Sequence, residues 1–238
     1  MSEMDKNRTG EYAKKGDYHK KLDKNWKFYP IYVEKMRFVK KYLSNISKTK
    51  KIVDLACGEG VLVEEFKNKG FDMVGVDYNY ASNYVIKGDI TKLDFKNSSY
   101  DIITALDVIE HLSFEQQELS VKEIYRVLNK NGRALLTIPN LAHFASRITF
   151  LFLGKLLRTS EIERHPGDRP INEYIKLFKK YGFIVTKKKG LFPTYPISTV
   201  LTYFFPSKVV LLHRFLNKFL AFPGWSFLII VELKKDAR

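Results

Sequence analysis

A single cysteine, Cys57, stands in 238 residues. One thiol excludes an intramolecular disulfide and a cysteine metal cluster. Its sequence setting reads as a small buried turn residue, ahead of a nucleophile. No apolar stretch reaches the ~20 residues that span a bilayer. Met1 to Gly10 is polar and charged, unlike a secretory signal, so a cytoplasmic protein is expected, with any membrane association peripheral. Internal repeats and low-complexity tracts are absent. So are two nucleotide-binding fingerprints. Gly-x-Gly-x-x-Gly would seat a pyrophosphate on a helix N-terminus, and Gly-x-x-x-x-Gly-Lys would cradle phosphates.

Acidic residues are also in short supply, with 26 Asp and Glu against 41 Lys and Arg, a net charge of +15. The imbalance is local. Residues 1–51 hold 15 basic and 6 acidic side chains, residues 52–142 hold 9 and 14, and residues 143–238 hold 17 and 6. An acidic core between basic flanks suggests an anionic target: nucleic acid, a lipid head group or a phosphorylated small molecule. A generically lysine-rich chain would show the same totals. The 45% hydrophobic fraction is ordinary for a globular protein. The length suits one α/β domain.

What the chain does have is a distinctive turn. Val53 to Gly60 reads Val-Asp-Leu-Ala-Cys-Gly-Glu-Gly, after the apolar Ile52 and Val53 and before a helical pattern of Val61, Leu62, Val63 and Phe66. Such a turn lets a ligand lie against backbone at the C-terminal edge of a parallel sheet. Asp77 closes the next apolar run, where a carboxylate can accept from both hydroxyls of a ribose. An adenosine-type nucleoside is therefore expected. Asp54 and Glu59 repel a pyrophosphate but suit a cation, and S-adenosylmethionine carries a sulfonium and an ammonium. Ala56 replaces the first glycine of the dinucleotide pattern; alanine allows close approach provided φ stays negative.

These segments together resemble the class I S-adenosylmethionine-dependent methyltransferases, over roughly residues 51–140. Val53 to Gly60 looks like the first cofactor loop. Val74-Gly75-Val76-Asp77 looks like the second strand with its ribose acid. Gly88-Asp89-Ile90 looks like the adenine-reading loop. Tyr100 to Leu112 looks like the fourth strand running into its helix, and Val127 to Asn140 like the turn and fifth strand. The resemblance implies a doubly wound, mostly parallel seven-stranded Rossmann-like sheet with the last strand antiparallel. It implies S-adenosyl-L-methionine as cofactor, held by Asp54, Ala56, Gly58, Asp77, Tyr78, Asp89, Ile90 and Leu106. For Asp54, holding the methionine ammonium and capping the turn's amides stand side by side.

The chain is expected to be a single methyltransferase domain, residues 1–238. Within it, 1–47 form an arm and helix, 48–140 the cofactor core, and 141–170 and 190–225 two substrate-side insertions. Residues 1–24 read as mobile. Pro30 opens a helix to about Leu43. Strands are expected at 51–55, 72–77, 101–106, 133–138, 183–185 and 227–233, and helices at 60–69, 115–129 and 171–181, the last closed by Gly182. Ser207 is a candidate N-cap for a helix to Leu220. Both insertions are apolar and basic. That composition suits a lipid-like acceptor or contact with an anionic membrane, and equally a cap packed on itself or a dimer surface.

Asp107-x-x-Glu110-His111 resembles the Glu-x-x-Glu-His of ubiquinone-pathway O-methyltransferases, where a divalent metal is implicated. Aspartate at 107 shortens one ligand, and no metal site is assigned. Three readings stand: a shape-setting helix start, a general base at His111, and a metal site. His111 is the catalytic candidate, since histidine titrates in the right range to take a hydroxyl proton. His19, His143 and His165 read as surface residues that border the acceptor side. No Asn-Pro-Pro-Tyr or Asp-Pro-Pro-Tyr follows the fourth strand. The expected acceptor is a small molecule or a lipid-linked one, methylated at oxygen, ahead of nucleic acid or protein. A non-catalytic subunit of the same fold is a further alternative.

Overall fold

The computed structural model describes residues 19–158 and 162–236. The expected mobility of residues 1–18 falls outside the described residues. Helix α1 (Tyr29–Ser44) has Pro30 in its first turn, where no amide partner is needed. There follow β1 (Lys51–Leu55), α2 (Val61–Asn68), β2 (Asp72–Asp77), β3 (Val85–Lys87) and β4 (Tyr100–Leu106). Helix α3 (Phe114–Val127) starts on a reciprocal cap, with the Ser113 side chain on the Gln116 amide and the Gln116 side chain on the Ser113 amide. Then come β5 (Leu128–Pro139), α4 (Phe144–Leu153), α5 (Ile171–Lys180) and β6 (Phe183–Pro193). Helices α6 (Pro196–Phe204) and α7 (Val210–Phe219) precede β7 (Ser226–Lys235).

The sheet order is β3-β2-β1-β4-β5-β7-β6. β1 to β5 pair in parallel, and β7 runs antiparallel to both β5 and β6. This is the expected seven-stranded arrangement. Side chains alternate between two cores. Val53, Ile103 and Leu136 meet α3 and α5 on one face. Ile52, Ile102 and Leu135 meet α1 and α2 on the other. Burial on both faces is why these strands read as unbroken apolar runs. Strand order reverses between β1 and β4, which opens a crevice at their C-terminal ends.

Four boundaries differ from expectation. β3 carries no strand signal, because two of its three residues face solvent. β5 begins at Leu128 rather than 133: Leu128 pairs with Tyr100 across a register shift, and exposed Lys130 and Asn131 hide the ladder from a hydrophobicity reading. β6 runs to Pro193, because an edge strand can carry the polar stretch Thr186 to Lys189. Ser207 does not cap α7. The amides of Lys208 and Val209 both donate to the Phe205 carbonyl, so this stretch is a turn closing α6, and α7 starts after Val209.

Candidate active site

The turn after β1 is held in an unusual backbone form. Ala56, Gly58 and Gly60 all have positive φ, at 54°, 56° and 70°. Alanine at 56 therefore does not keep negative φ. It adopts the left-handed form that glycine takes without strain, at a cost of order 1–3 kcal/mol. The Cys57 amide donates to the Val76 carbonyl at 3.1 Å, tying the turn to β2. A Cβ on Gly75 would lie 2.5 Å from the Cys57 sulfur, so glycine there lets the turn close onto the strand. Cys57 is half-buried, and burial holds its thiol well above the usual range, consistent with a packing residue.

Asp77 closes β2 against this turn. One carboxylate oxygen accepts from the Gly58 amide at 2.8 Å and the other from the Asn79 amide at 2.8 Å. Burial raises its proton affinity and these amides oppose the shift. An open hollow of about 470 Å³ lies beside it, lined by Tyr78, Asn79, Lys87, Gly88 and Asp89. Asp89 accepts from both the amide and hydroxyl of Thr91 at 2.8 Å. The Ile90 side chain belongs to the core, so any ligand contact there would be through its backbone. Tyr78 is largely exposed, and Leu106 is partly buried at the end of β4.

Asp54 turns into the sheet. Its carboxylate accepts from the Thr104 hydroxyl on β4 at 2.5 Å, rather than capping the turn's amides. Burial pushes its pKa up to about 7, while Thr104 and the Lys35 ammonium pull it down. Glu59, also buried, accepts from the His19 amide at 2.9 Å and faces the His19 ring nitrogen at 3.1 Å. The His19 ring stacks on Tyr32 of α1. His19 thus clasps the cofactor turn instead of lying on the surface.

The Asp107 cluster is divided. Asp107, at φ 51°, accepts from Thr137 and from Lys35, so its carboxylate faces α1. Ile109 to His111 form a short 3₁₀ turn, not the start of a helix. Glu110 is buried, and its Oε2 has no hydrogen-bond partner. Burial and the nearby Asp107 raise its pKa well above the carboxylate range. His111 Nδ1 lies 3.0 Å from the Arg164 carbonyl. A carbonyl only accepts, so Nδ1 carries the hydrogen and Nε2 is bare. Its ring meets that of His165 edge-on at 4.5 Å. His111 reaches solvent, but the protein crowded around its ring and the neighbouring His165 both lower its pKa.

Ligand atoms of Glu110, His111 and His165 lie within 4.8 Å of one another. His165, expected at the surface, is buried and 3.6 Å from Asp168. His143 is buried too, as the N-cap of α4, with Thr194 at 2.9 Å. Sequence spacing could not join residue 111 to residue 165. Nor does the sequence mark Lys35, Thr104 and Thr137, because each reaches the site from a separate element.

The residues fit S-adenosylmethionine better than a pyrophosphate cofactor. Carboxylate Asp77 stands beside the crevice with Asp54 buried behind the same turn, and helix α2 opens on Gly60 with Glu59 before it and Glu64 in its first turn. These carboxylates offset the positive helix N-terminus that would otherwise draw a phosphate.

Comparison with known proteins agrees. A methyltransferase-domain family model matches residues 26–188. A ubiquinone biosynthesis O-methyltransferase of Pelagibacter ubique is 26% identical over 174 residues, 66% of this chain and 69% of that protein. A ribosomal RNA-processing protein 8 of Dictyostelium discoideum is 33% identical over 153 residues, 62% of this chain but 35% of that protein. A crystal structure of an S-adenosylmethionine-dependent methyltransferase from Archaeoglobus fulgidus has a TM-score of 0.56 at 17% identity, covering 92% of this chain and all of that one. The chain belongs to the methyltransferase-domain family and is a class I S-adenosylmethionine-dependent methyltransferase.

Proposed function

We propose that the protein methylates an oxygen of a small or lipid-linked acceptor, as a single catalytic domain with substrate-side insertions at 141–170 and 190–225. The carrying observation is that α4, α6 and the turn before β7 all arise at the sheet edge that bears Asp54, Asp77 and Leu106. An apolar cap thus borders the cofactor crevice. The ubiquinone-pathway name of the Pelagibacter relative supports the same acceptor class. When bound, S-adenosylmethionine supplies a methyl group already activated by its sulfonium. Asp77 would hold the ribose and Asp89 the adenine amine. Asp54 would hold the ammonium, directly or through water. Ala56 and Gly58 would offer bare backbone, Tyr78 and the Ile90 backbone would border the base, and Leu106 would wall the reacting end. Proximity and orientation then do most of the work. His111 would hold the acceptor's proton at Nε2.

A methyl-label transfer assay tests this. Protein and methyl-tritiated cofactor are incubated in turn with lipid extract, small metabolites, RNA and a protein fraction. Label in the lipid or small-molecule fraction supports the reading. Label in RNA favours the second reading, which the basic flanks and the ribosomal RNA-processing relative motivate. Failure to label any fraction, with cofactor bound, favours a non-catalytic subunit.

A further inference from the structure

The insertions expose apolar surface in a pattern that a folded partner cannot cover. Phe150, Leu151, Phe152 and Leu153 end α4, and all four are 57–75% exposed. Four consecutive residues at 100° intervals surround the whole helix. A rigid protein covers one stripe of a helix, whereas a fluid hydrocarbon layer surrounds its tip. The neighbouring helices are inverted relative to a soluble protein. On α6, Ile197, Val200 and Phe204 form an outward stripe at helical spacing. On α7, Leu211, Phe215 and Phe219 do the same, while His213 and Asn217 face inward. The three helices form one cap. Phe144 at the start of α4 packs on Tyr195 before α6 and on Trp225 before β7. Thr202 of α6 meets His213 of α7 at 2.6 Å.

Charge names the occupant. The cap helices and their flanking turns, residues 141–158 and 190–225, carry Arg147, Lys155, Arg158, Lys208, Arg214 and Lys218 and no Asp or Glu of their own. Arg158 pairs with Asp168 and Arg214 with Glu34, while Lys155, Lys208 and Lys218 add cationic charge beside the apolar surface. Lys208 and Lys218 lie beside the exposed rings of Phe205 and Phe219, at 5.7 and 5.0 Å from their centroids. A second copy of the chain would bring this lysine-bearing surface against itself and set like charges together. We propose that the cap of α4, α6 and α7 docks on an anionic lipid bilayer, with the α4 tip inserted and the lysines at head-group level. Among the described residues no helix is long and apolar enough to cross a membrane, and the proposed contact is interfacial. This docking stands independently of which acceptor is methylated.

Vesicle co-sedimentation tests it on the full chain. Mixed phosphatidylcholine–phosphatidylglycerol vesicles should pellet the protein, pure phosphatidylcholine far less, and high salt should release it. Phe152→Asp with Leu153→Asp should weaken partitioning by about tenfold or more, since two exposed apolar anchors are lost. Both side chains are exposed, and an unchanged thermal shift with S-adenosylhomocysteine confirms the fold. The triple change Lys155→Gln, Lys208→Gln, Lys218→Gln should remove the preference for anionic lipid. The proposal is overturned if wild type does not pellet with anionic vesicles. It is equally overturned if the apolar variant pellets as well as wild type, or if RNA strips the protein from vesicles while that variant binds RNA normally. Dimerisation through the cap in place of vesicle binding would overturn it too.

Discussion

Lys35 of α1 reaches Asp107 at the end of β4, with 2.5 Å between ammonium and carboxylate. The lysine is buried and Asp107 is also held by Thr137. The pair fastens the N-terminal helix over the cofactor edge. Lys35 also stabilises the charge on Asp54. Replacing it should therefore do two things. Lys35→Met should cost about 1–3 kcal/mol in urea denaturation, as expected when a charged hydrogen bond is lost. It should also move the Asp54 titration above its present value near 7.

The titration of Asp54 should be visible in binding. Its pKa is raised, so the carboxylate is neutral below about 7 and charged above it. Only the charged form attracts an ammonium. Affinity for S-adenosylhomocysteine should rise as pH increases through 7 and level off above. Asp54→Asn should flatten this profile, and Lys35→Met should shift its midpoint upward. Calorimetry between pH 6 and pH 9 would measure all three. A pH-independent affinity in the wild type would remove Asp54 from the ligand site.

Asp77→Ala should weaken S-adenosylhomocysteine binding by about 1.5–3 kcal/mol, the value of a charge-assisted pair of hydrogen bonds. The same carboxylate braces the Gly58 and Asn79 amides, so Asp77→Asn is the necessary companion. Asparagine keeps one acceptor oxygen for an amide and loses the charge. Unchanged affinity in both variants, by calorimetry, would take the ribose role from Asp77.

The sheet and the cofactor edge were legible because they are local in sequence. Continuous apolar runs mark β1, β2, β4 and β7, and Asp77 sits at the end of one of them; Asp89 follows β3, which has no signal of its own, and is placed by the family resemblance. The rest depends on residues distant in the chain. Asp107 is drawn to Lys35, 72 residues away, and so leaves Glu110 and His111 to meet His165 from the insertion. Ala56 could not be read as left-handed, because alanine rarely is. The polar edge of β6 carried no hydrophobic signal at all.

His111 offers a bare Nε2, and its pKa is lowered by crowding and by His165, which favours the neutral, proton-accepting ring. His111→Asn should reduce methyl transfer to an oxygen acceptor by about 10²–10⁴-fold, the usual range for a general base. Affinity for S-adenosylhomocysteine should be unchanged. Transfer by wild type should persist in a chelator, since a base needs no cation. If chelation abolishes transfer and Mg²⁺ or Zn²⁺ restores it, Glu110, His111 and His165 are ligands instead. If the variant retains full activity, the histidine only shapes the turn.

Gly75 tests how the turn and β2 are fitted together. A methyl group there would fall 2.5 Å from the Cys57 sulfur, 3.1 Å from a Val63 methyl and 3.3 Å from the Tyr84 carbonyl. The sulfur can rotate away, but the valine and the backbone are fixed by the core and by the Gly75 amide's bond to Tyr84 at 3.1 Å. Gly75→Ala should destabilise the protein by about 1–3 kcal/mol, the cost of overpacking. It should also weaken cofactor binding, because displacing Cys57 moves the Gly58 amide off Asp77. Adding Cys57→Ala should recover part of both losses, since the closest clash is with sulfur. A double-mutant cycle read by denaturation and by S-adenosylhomocysteine calorimetry would show a favourable coupling between the two positions. Strict additivity would mean that the Val63 and Tyr84 contacts set the cost and that Cys57 does not position the turn.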